Sequence, residues 1–249
     1  MKSVRWFVLM AFVAVVFIGS ARAFTQEAPS HSAVNPFPRD AGWVKRHEKL
    51  NEEVKKRGDE IKLLFIGDSI TDAWSGSARD SGQKEWDKRF APRGAINLGI
   101  GGDRTQHVLW RLENGNIEGL KPKAAVLMIG TNNSNNKDNT AEEIADGIKA
   151  IVAKLRKELP ETKILLLAIF PRGAKPSAQR EKNAQASKLA SEVADGKIVY
   201  YLDIGDKFLE ADGTLTKEIM PDLLHLSPKG YTIWADAIEP KVAELMGEK

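Results

Sequence analysis

A serine and a histidine far apart in the chain have the residue types that nucleophilic catalysis needs. Ser69 follows an apolar run that ends in Gly67-Asp68, and His225 lies three residues after Asp222. A serine hydroxyl becomes an effective nucleophile only when an adjacent base takes its proton. The carboxylate of Asp222, one turn from His225, would orient the imidazole and stabilise its protonated form. These residues predict attack on a carbonyl group, with Ser69 as nucleophile, His225 as base and Asp222 as the orienting carboxylate.

Each of these residues also has an ordinary structural interpretation. Ser69 could be the N-cap of a helix that begins at Ile70, because serine is one of the most common N-cap residues. Asp222 and His225 could belong to a surface turn between two prolines. Either motif alone leaves both interpretations open, and their combination favours catalysis.

Two further residues could donate hydrogen bonds to the oxyanion of a tetrahedral intermediate. Gly102 could offer its backbone N–H, because no side chain blocks a close approach, and Asn132 could offer its side-chain amide. The alternative is a tight turn at Gly102 and an amide at Asn132 that satisfies its own neighbours. Together with the backbone N–H of Ser69, they form the predicted oxyanion hole.

The elements that must position these residues alternate between strand and helix. Strands are predicted at 61–66, 95–98, 124–129, 163–169 and 198–202. Helices are predicted from Trp43 to about 57 and at 105–112, 140–159, 179–193 and 229–246, with Pro240 kinking or dividing the last. This alternation predicts a parallel sheet with helices on both faces, and ligands bind such sheets at the carboxyl ends of the strands.

The first residues have the pattern of an export signal. Lys2 and Arg5 precede an apolar run of about 13 residues, and Ala21-Arg22-Ala23 follows as a small-x-small cleavage site. The run is shorter than the roughly 20 residues that span a bilayer, which favours cleavage over an uncleaved anchor. We therefore expect a signal peptide at 1–23, a linker at 24–42 and a single domain at 43–249. The mature protein would be periplasmic or extracellular, without a membrane span.

Charge and cysteine content exclude several classes of function. The formal net charge is +3, and residues 1–23 hold three basic residues and no acidic one, so the remainder is neutral. A nucleic-acid partner would need a basic excess, which leads us to expect none. The absence of cysteine excludes disulfides, thiolate metal sites and a cysteine nucleophile.

Four segments resemble, in order and content, the motif blocks of the GDSL or SGNH hydrolases. They are Gly67-Asp68-Ser69-Ile70, residues 97–102, Gly130-Thr131-Asn132 and Asp222-x-x-His225. Residues 97–112 (NLGIGGDRTQHVLWRL) and 129–133 are most similar to the branch of intracellular platelet-activating-factor acetylhydrolase catalytic subunits. The resemblance implies a three-layer α/β/α, flavodoxin-like fold with a five-stranded parallel sheet. It also implies a triad of Ser69, Asp222 and His225, and an oxyanion hole of Ser69, Gly102 and Asn132.

Other classes of site fit the sequence less well. A dinucleotide fingerprint at 99–104 would need glycine where Arg104 stands, and an α/β-hydrolase elbow would need glycine two residues after Ser69, where Thr71 stands. A metal site would have to combine acidic residues without a recognised ligand spacing, namely Asp68, Asp72 and Asp103, with His225. No metal or cofactor is therefore expected.

We expect a secreted serine esterase that cleaves short acyl groups, above all acetyl groups on carbohydrate. A lipid-directed esterase is the first alternative, and a catalytically silent carbohydrate-binding protein on the same fold is the second. The expected partner is a small acyl-ester substrate, with the alcohol side recognised by loops such as 75–83 and 172–177. The sequence leaves a homodimer open.

Overall fold

The computed structural model describes residues 31–75, 82–135 and 138–248. The predicted signal peptide at 1–23 lies outside these residues, as do the first part of the predicted linker and most of the loop at 75–83.

Five parallel strands form one sheet in the order β2-β1-β3-β4-β5. The strands are β1 (Leu63–Gly67), β2 (Ala95–Gly99), β3 (Ala124–Met128), β4 (Lys163–Leu167) and β5 (Val199–Leu202). This is the flavodoxin-like order, in which the direction of winding reverses between β1 and β3. The predicted five-stranded parallel sheet is confirmed, and each predicted strand overlaps an observed one.

Seven α-helices connect or flank these strands in the described residues. They are α1 (Ala41–Arg57), α2 (Ser69–Asp72), α3 (Gln83–Glu85), α4 (Thr105–Glu113), α5 (Ala141–Glu158), α6 (Ala178–Ala190) and α7 (Pro228–Met246). A π-helical turn at Trp86–Phe90 extends α3, and short 3₁₀ turns lie at Ser32–Val34, Gly58–Glu60, Ala91–Arg93, Ser191–Val193 and Gly205–Phe208. Thr140 and Glu143 form the predicted capping box of α5. Among the described residues, no helix is long and apolar enough to span a membrane.

The sheet is covered on both faces, which gives three layers. Along β1, Leu64 and Ile66 pack into one core with α1, α4, α5 and α6, whereas Leu63 and Phe65 pack into the other core with α2 and α7. Aromatic side chains dominate the second core, including Trp74, Trp86, Phe90, Tyr231 and Trp234. Because both faces are buried, the strands are almost continuously apolar, and Asn97 in β2 and Lys163 at the start of β4 are the exceptions.

The structure differs from the predicted linker in residues 31–42, which pack against the domain. Ala33 is fully buried, and its carbonyl accepts a hydrogen bond of 2.8 Å from Thr105 Oγ1. Asp40 is the N-cap of α1 and accepts from the backbone N–H groups of Gly42 and Trp43, so the helix begins before Trp43. Composition rich in proline and serine predicted a linker, but this segment is attached to the domain by Ala33, by Ser32, which accepts from Asn139, and by Arg39, which donates to the Gly101 carbonyl.

The last helix, α7, runs without a break through Pro240, where the sequence predicted a kink or a division. Proline removes the N–H that would bond the carbonyl four residues earlier, at Asp236. Both residues lie on the exposed side of the helix, where water can satisfy that carbonyl. The apolar side of α7 remains packed in the core.

Candidate active site

Ser69 lies at the carboxyl end of β1 as the first residue of α2. The N-cap is Asp68, whose Oδ1 accepts a hydrogen bond of 3.0 Å from the N–H of Ile70. The Ser69 hydroxyl is therefore not the capping group that the structural interpretation assigned to it. The side chain is nearly buried, and the backbone N–H of Ser69 is among the first of the helix, which have no intrahelical acceptor.

The structure brings together the three residues that the sequence predicted as a triad. Ser69 Oγ lies 2.9 Å from His225 Nε2. On the opposite side of the imidazole, His225 Nδ1 lies 2.6 Å from Asp222 Oδ2. A serine hydroxyl, an imidazole and a carboxylate are thus hydrogen-bonded in series, although Ser69 and His225 are 156 residues apart in the sequence. This arrangement can move a proton from the hydroxyl to the imidazole.

The turn between Asp222 and His225 fixes the carboxylate in this orientation. Asp222 Oδ1 accepts hydrogen bonds from the N–H groups of Leu224, at 3.0 Å, and His225, at 2.7 Å, which leaves Oδ2 for the ring. Leu223 has a left-handed backbone with φ of +62°, a conformation that is unfavourable for a leucine. The carbonyl of Leu223 accepts a hydrogen bond of 2.8 Å from Gly173, which ties the turn to the segment after β4.

The ionisation of Asp222 suits this orienting role. Partial burial raises the pKa of Asp222, but the hydrogen bonds from His225 and Leu224 outweigh burial and lower the pKa to about 2. Asp222 therefore remains a carboxylate throughout the neutral range.

The predicted oxyanion residues lie in or beside a four-residue turn after β2, residues 100–103, which we term the oxyanion loop. The N–H of Asp103 donates to the carbonyl of Ile100 at 3.2 Å, and Gly102 has φ of +80° at the third position, as in a type II turn. A Cβ atom built on Gly101 would lie 3.7 Å from Ser69 Cβ, so the loop is adjacent to the serine. Asn132 Nδ2 donates to the carbonyl of Asp103 at 2.9 Å, which keeps Asn132 next to the same loop.

A buried polar network that the sequence did not predict supports the oxyanion loop. The side chain of Asp103 is fully buried and accepts hydrogen bonds from Trp43 Nε1 at 2.6 Å and Arg111 Nε at 2.9 Å. Arg39 Nη1 lies 3.4 Å from the same carboxyl group. One signal could have revealed the network, because Arg111 interrupts the apolar pattern of α4 and a buried arginine needs an acidic partner.

Arg172 begins the segment 172–177, one of the loops that the sequence predicted to recognise the alcohol side of the substrate. It donates to the carbonyl of Thr131 at 3.3 Å and to Asn135 Oδ1 at 3.0 Å. Burial lowers the pKa of Arg172, and the nearby charges of Asp68 and Asp222 oppose that shift. The guanidinium is therefore a fixed positive charge close to both carboxyl groups that flank Ser69.

Asp68 differs sharply from Asp222 in its electrostatic environment. Burial raises the pKa of Asp68 to about 7, although the hydrogen bond from Ile70 acts in the opposite direction. Its Oδ2 atom is buried and has no hydrogen-bond partner. Burial of a carboxyl group without compensating donors favours the protonated form.

Three of the four residues considered as metal ligands have other charged or polar partners, and Asp68 binds, among the described residues, only the N–H of Ile70, through Oδ1. Asp72 lies 3.2 Å from Arg46, Asp103 accepts from Arg111, and His225 is held between Ser69 and Asp222. No group of three or more histidine, aspartate or glutamate residues in the described ranges could hold a metal ion.

Comparison with known proteins places this chain among ester hydrolases. Residues 65–233 match the GDSL-like lipase/acylhydrolase family. The chain is 39% identical over 212 residues to human platelet-activating factor acetylhydrolase IB subunit alpha2, covering 84% of this chain and 87% of that protein.

Two solved structures show the same fold at lower identity. The acetylxylan esterase Axe2 of Geobacillus stearothermophilus aligns with a TM-score of 0.57 and 19% identity, covering 77% of this chain and 96% of that one. The carbohydrate acetylesterase Est24 of Sinorhizobium meliloti aligns with a TM-score of 0.56 and 23% identity, covering 74% and 99%.

Proposed function

The chain belongs to the GDSL-like lipase/acylhydrolase family and is a serine ester hydrolase, and from that premise we propose that it removes short acyl groups, chiefly acetyl, from carbohydrate outside the cytoplasm. The observation that carries the catalytic assignment is the series of hydrogen bonds from Ser69 through His225 to Asp222, at 2.9 and 2.6 Å. Nothing in this series needs a metal or a cofactor to generate the nucleophile.

The proposed reaction has two steps that use the same histidine. Ser69 Oγ attacks the ester carbonyl while His225 Nε2 accepts the hydroxyl proton, and His225 then returns the proton to the departing alcohol. In the second step, His225 takes a proton from water, which attacks the acyl-enzyme and releases the carboxylic acid. Asp222 remains ionised and stabilises the imidazolium that forms in each step.

The negative charge on the carbonyl oxygen would be stabilised by three donors. They are the backbone N–H groups of Ser69 and Gly102 and the side-chain amide of Asn132. The amide of Asn132 has two hydrogens, one of which serves the carbonyl of Asp103, so the other is available for the oxyanion. Donors held in advance at a buried site stabilise developing charge without reorganisation.

Two features support an acetyl group on carbohydrate as the substrate. The human relative is named an acetylhydrolase, and the two fold neighbours show that this architecture serves enzymes named for acetylated carbohydrate. The predicted export signal at 1–23 would deliver the enzyme to compartments where polysaccharides occur.

A lipid-directed esterase is the second candidate, because the 39% identical relative is named for platelet-activating factor, whereas the acetylxylan esterase is only 19% identical. Initial rates on acetylated xylo-oligosaccharides should be compared with rates on lysophospholipids and on simple esters of increasing acyl length. The proposal predicts the highest kcat/KM on acetylated sugar and a steep decline beyond short acyl chains. A preference for phospholipid esters would favour the second candidate.

Export is a separate proposal with its own measurement. If residues 1–23 are a cleaved signal peptide, the protein recovered from outside the cytoplasm should begin at Phe24. Intact-mass analysis of the protein expressed with its full N-terminus would show this. Recovery of the uncleaved chain from the cytoplasm would contradict it.

The catalytic assignment is tested by Ser69→Ala. The variant should keep its fold and lose all but residual esterase activity, on the order of 10⁴-fold or more. Near wild-type hydrolysis by this variant would contradict the role of Ser69. Absence of ester hydrolysis by the wild-type protein would instead favour the catalytically silent carbohydrate-binding protein.

A further inference from the structure

One peptide unit of the oxyanion loop has its two polar ends in different environments. The carbonyl of Gly101 and the N–H of Gly102 belong to the same planar trans peptide, so they point in opposite directions. Whatever fixes the direction of the carbonyl therefore fixes the direction of the N–H. The N–H is the proposed oxyanion donor, and the carbonyl points away from the oxyanion.

The Gly101–Gly102 peptide is also easy to reorient. Type I and type II turns differ mainly in a flip of this central peptide, and Gly102 has the positive φ, +80°, that the type II form requires. Glycine on both sides of a peptide makes either orientation sterically accessible. A flip would turn the Gly102 N–H away from the oxyanion and present a carbonyl oxygen there instead.

Arg39 holds the carbonyl end of this peptide. Its Nη1 donates a hydrogen bond of 2.7 Å to the Gly101 carbonyl, a charge-assisted interaction that is stronger than one between neutral groups. The guanidinium lies over Gly102, since a Cβ atom there would approach Arg39 Nη1 to 3.0 Å and Cζ to 3.3 Å. Asp103 Oδ1, at 3.4 Å from Nη1, helps to hold the guanidinium in this position.

Arg39 is itself held by the segment that composition predicted as a linker. It precedes Asp40, the N-cap of α1, and Trp43 in the first turn of α1 bonds to the same Asp103 carboxyl group. The Arg39 side chain retains 30% exposure, so it lies at the surface of the site, on the solvent side of the buried network around Asp103. The segment before α1 therefore contributes a charged group directly to the oxyanion loop.

We propose that Arg39 is a positioning residue that fixes the Gly101–Gly102 peptide so that the Gly102 N–H points at the oxyanion. The guanidinium also polarises the peptide, because a strong donor on the carbonyl makes the N–H at the opposite end a better donor. This inference rests on the proposed esterase function. It adds a residue that touches neither the nucleophile nor the base.

The test compares Arg39→Ala with a matched control, Arg57→Ala. Arg57 Nη2 also donates to a backbone carbonyl, that of Ala95 at 2.9 Å, but at the start of β2, away from the catalytic serine. Arg39→Ala should lower kcat by about 10- to 100-fold with little change in KM, because donor alignment matters most in the transition state. Arg57→Ala should keep the wild-type kcat.

Two further measurements separate positioning from a general structural defect. Millimolar guanidinium ion should restore part of the kcat of Arg39→Ala and leave Arg57→Ala unchanged. Affinity for a boronic acid that forms a tetrahedral adduct should fall in parallel with kcat, whereas affinity for the product alcohol should not. If Arg39→Ala does not fold, Arg39→Lys can be measured in its place. Lysine keeps the positive charge but lacks the planar, forked guanidinium, so its kcat should lie below that of wild type and above the value expected for Arg39→Ala.

The outcomes distinguish this inference from the proposed function. If the wild-type protein hydrolyses no ester, the proposed function fails. If wild type is active and Arg39→Ala matches Arg57→Ala in kcat, or loses activity through KM alone, the inference is wrong and the esterase assignment stands. A wild-type kcat in Arg39→Lys, with no rescue of Arg39→Ala by guanidinium, would also overturn it.

Discussion

The two sides of Ser69 are built in opposite ways. On the base side, Asp222 and His225 lie three residues apart in one irregular turn, and the Asp222 side chain is 54% exposed. On the oxyanion side, Asp103 is fully buried and joins donors from α1 and α4 to a loop that also contacts Asn132. The base side is built from one short, partly exposed turn. The oxyanion side is supported by a buried carboxylate that joins segments far apart in the sequence.

This difference shows what each side contributes. The base side has a proton to move, and a short turn with two backbone hydrogen bonds suffices to orient one carboxylate. The oxyanion side has to hold donors in place against solvent and backbone motion, which needs a rigid and desolvated support. We therefore expect variants on the base side to affect activity with little effect on stability, and variants on the buried side to affect both.

The largest expected effect is on the base side, from Asp222→Asn. The asparagine can still accept the N–H bonds of Leu224 and His225 through Oδ1, but its amide favours the wrong tautomer of the imidazole. The kcat should fall about 10⁴-fold. The free energy of unfolding should change little, because the side chain is half exposed. A large loss of stability measured by urea unfolding would contradict the separation between the two sides.

The pH dependence of stability provides the next test, because the carboxyl groups on either side of Ser69 have opposite pKa shifts. The pKa of Asp68 in the folded protein is about 7, above its ordinary value of 3.8. Between these values the folded state holds a proton that the unfolded state releases, so Asp68 makes the protein less stable as pH rises. For Asp222, with a pKa of about 2, the contribution to stability is present above pH 4 and is lost as pH falls, and it is small because solvent screens a half-exposed carboxylate.

Asp68→Asn should remove the loss of stability that Asp68 causes as pH rises, while keeping an acceptor for the N–H of Ile70. The free energy of unfolding of the variant, relative to wild type, should rise by on the order of 4 kcal/mol between pH 4 and pH 8, from the shift of the Asp68 pKa to about 7. Urea unfolding at both pH values would measure it. Parallel stability curves for the two proteins would show that Asp68 ionises normally in the fold.

A smaller effect on activity is expected from the oxyanion side, in Asn132→Ala. Loss of one donor should reduce kcat by on the order of 10² to 10³. Because Asn132 also bonds the Asp103 carbonyl, we expect the free energy of unfolding to fall as well, by about 1–3 kcal/mol. Asn132→Asp keeps the shape but loses both donors, so it should be at least as impaired. Unchanged kcat in both variants would remove Asn132 from the proposed oxyanion hole.

The sequence predicted the parts of the molecule that depend on local patterns. Apolar runs predicted all five strands, and Thr140 with Glu143 predicted the start of α5, because each signal lies within a few residues of its effect. The family resemblance implied a flavodoxin-like fold, and the structure gives the strand order β2-β1-β3-β4-β5, which periodicity alone does not predict. The residues of the triad were found through their motifs, and the structure places them in hydrogen-bonding contact.

The interactions that the sequence did not predict are long-range or depend on burial. Trp43 and Arg111 meet at Asp103 only after α1 and α4 pack on the same face of the sheet. Arg39 lies in a segment whose composition indicated a linker, and contacts of that segment with distant residues, such as those of Ala33 with Thr105 and of Arg39 with Gly101, attach it to the domain. The opposite pKa shifts of Asp68 and Asp222 follow from their environments, which the residue type does not specify.

Covalent labelling by a fluorophosphonate probe tests the central claim most directly. Such a probe reacts with a serine hydroxyl only when a base removes its proton and donors stabilise the adduct, so it requires both sides of the site at once. We predict one label per chain, located on the peptide that contains Ser69, and no label in Ser69→Ala. An unlabelled wild-type protein, or equal labelling of the variant, would contradict the assignment of Ser69 as the activated nucleophile.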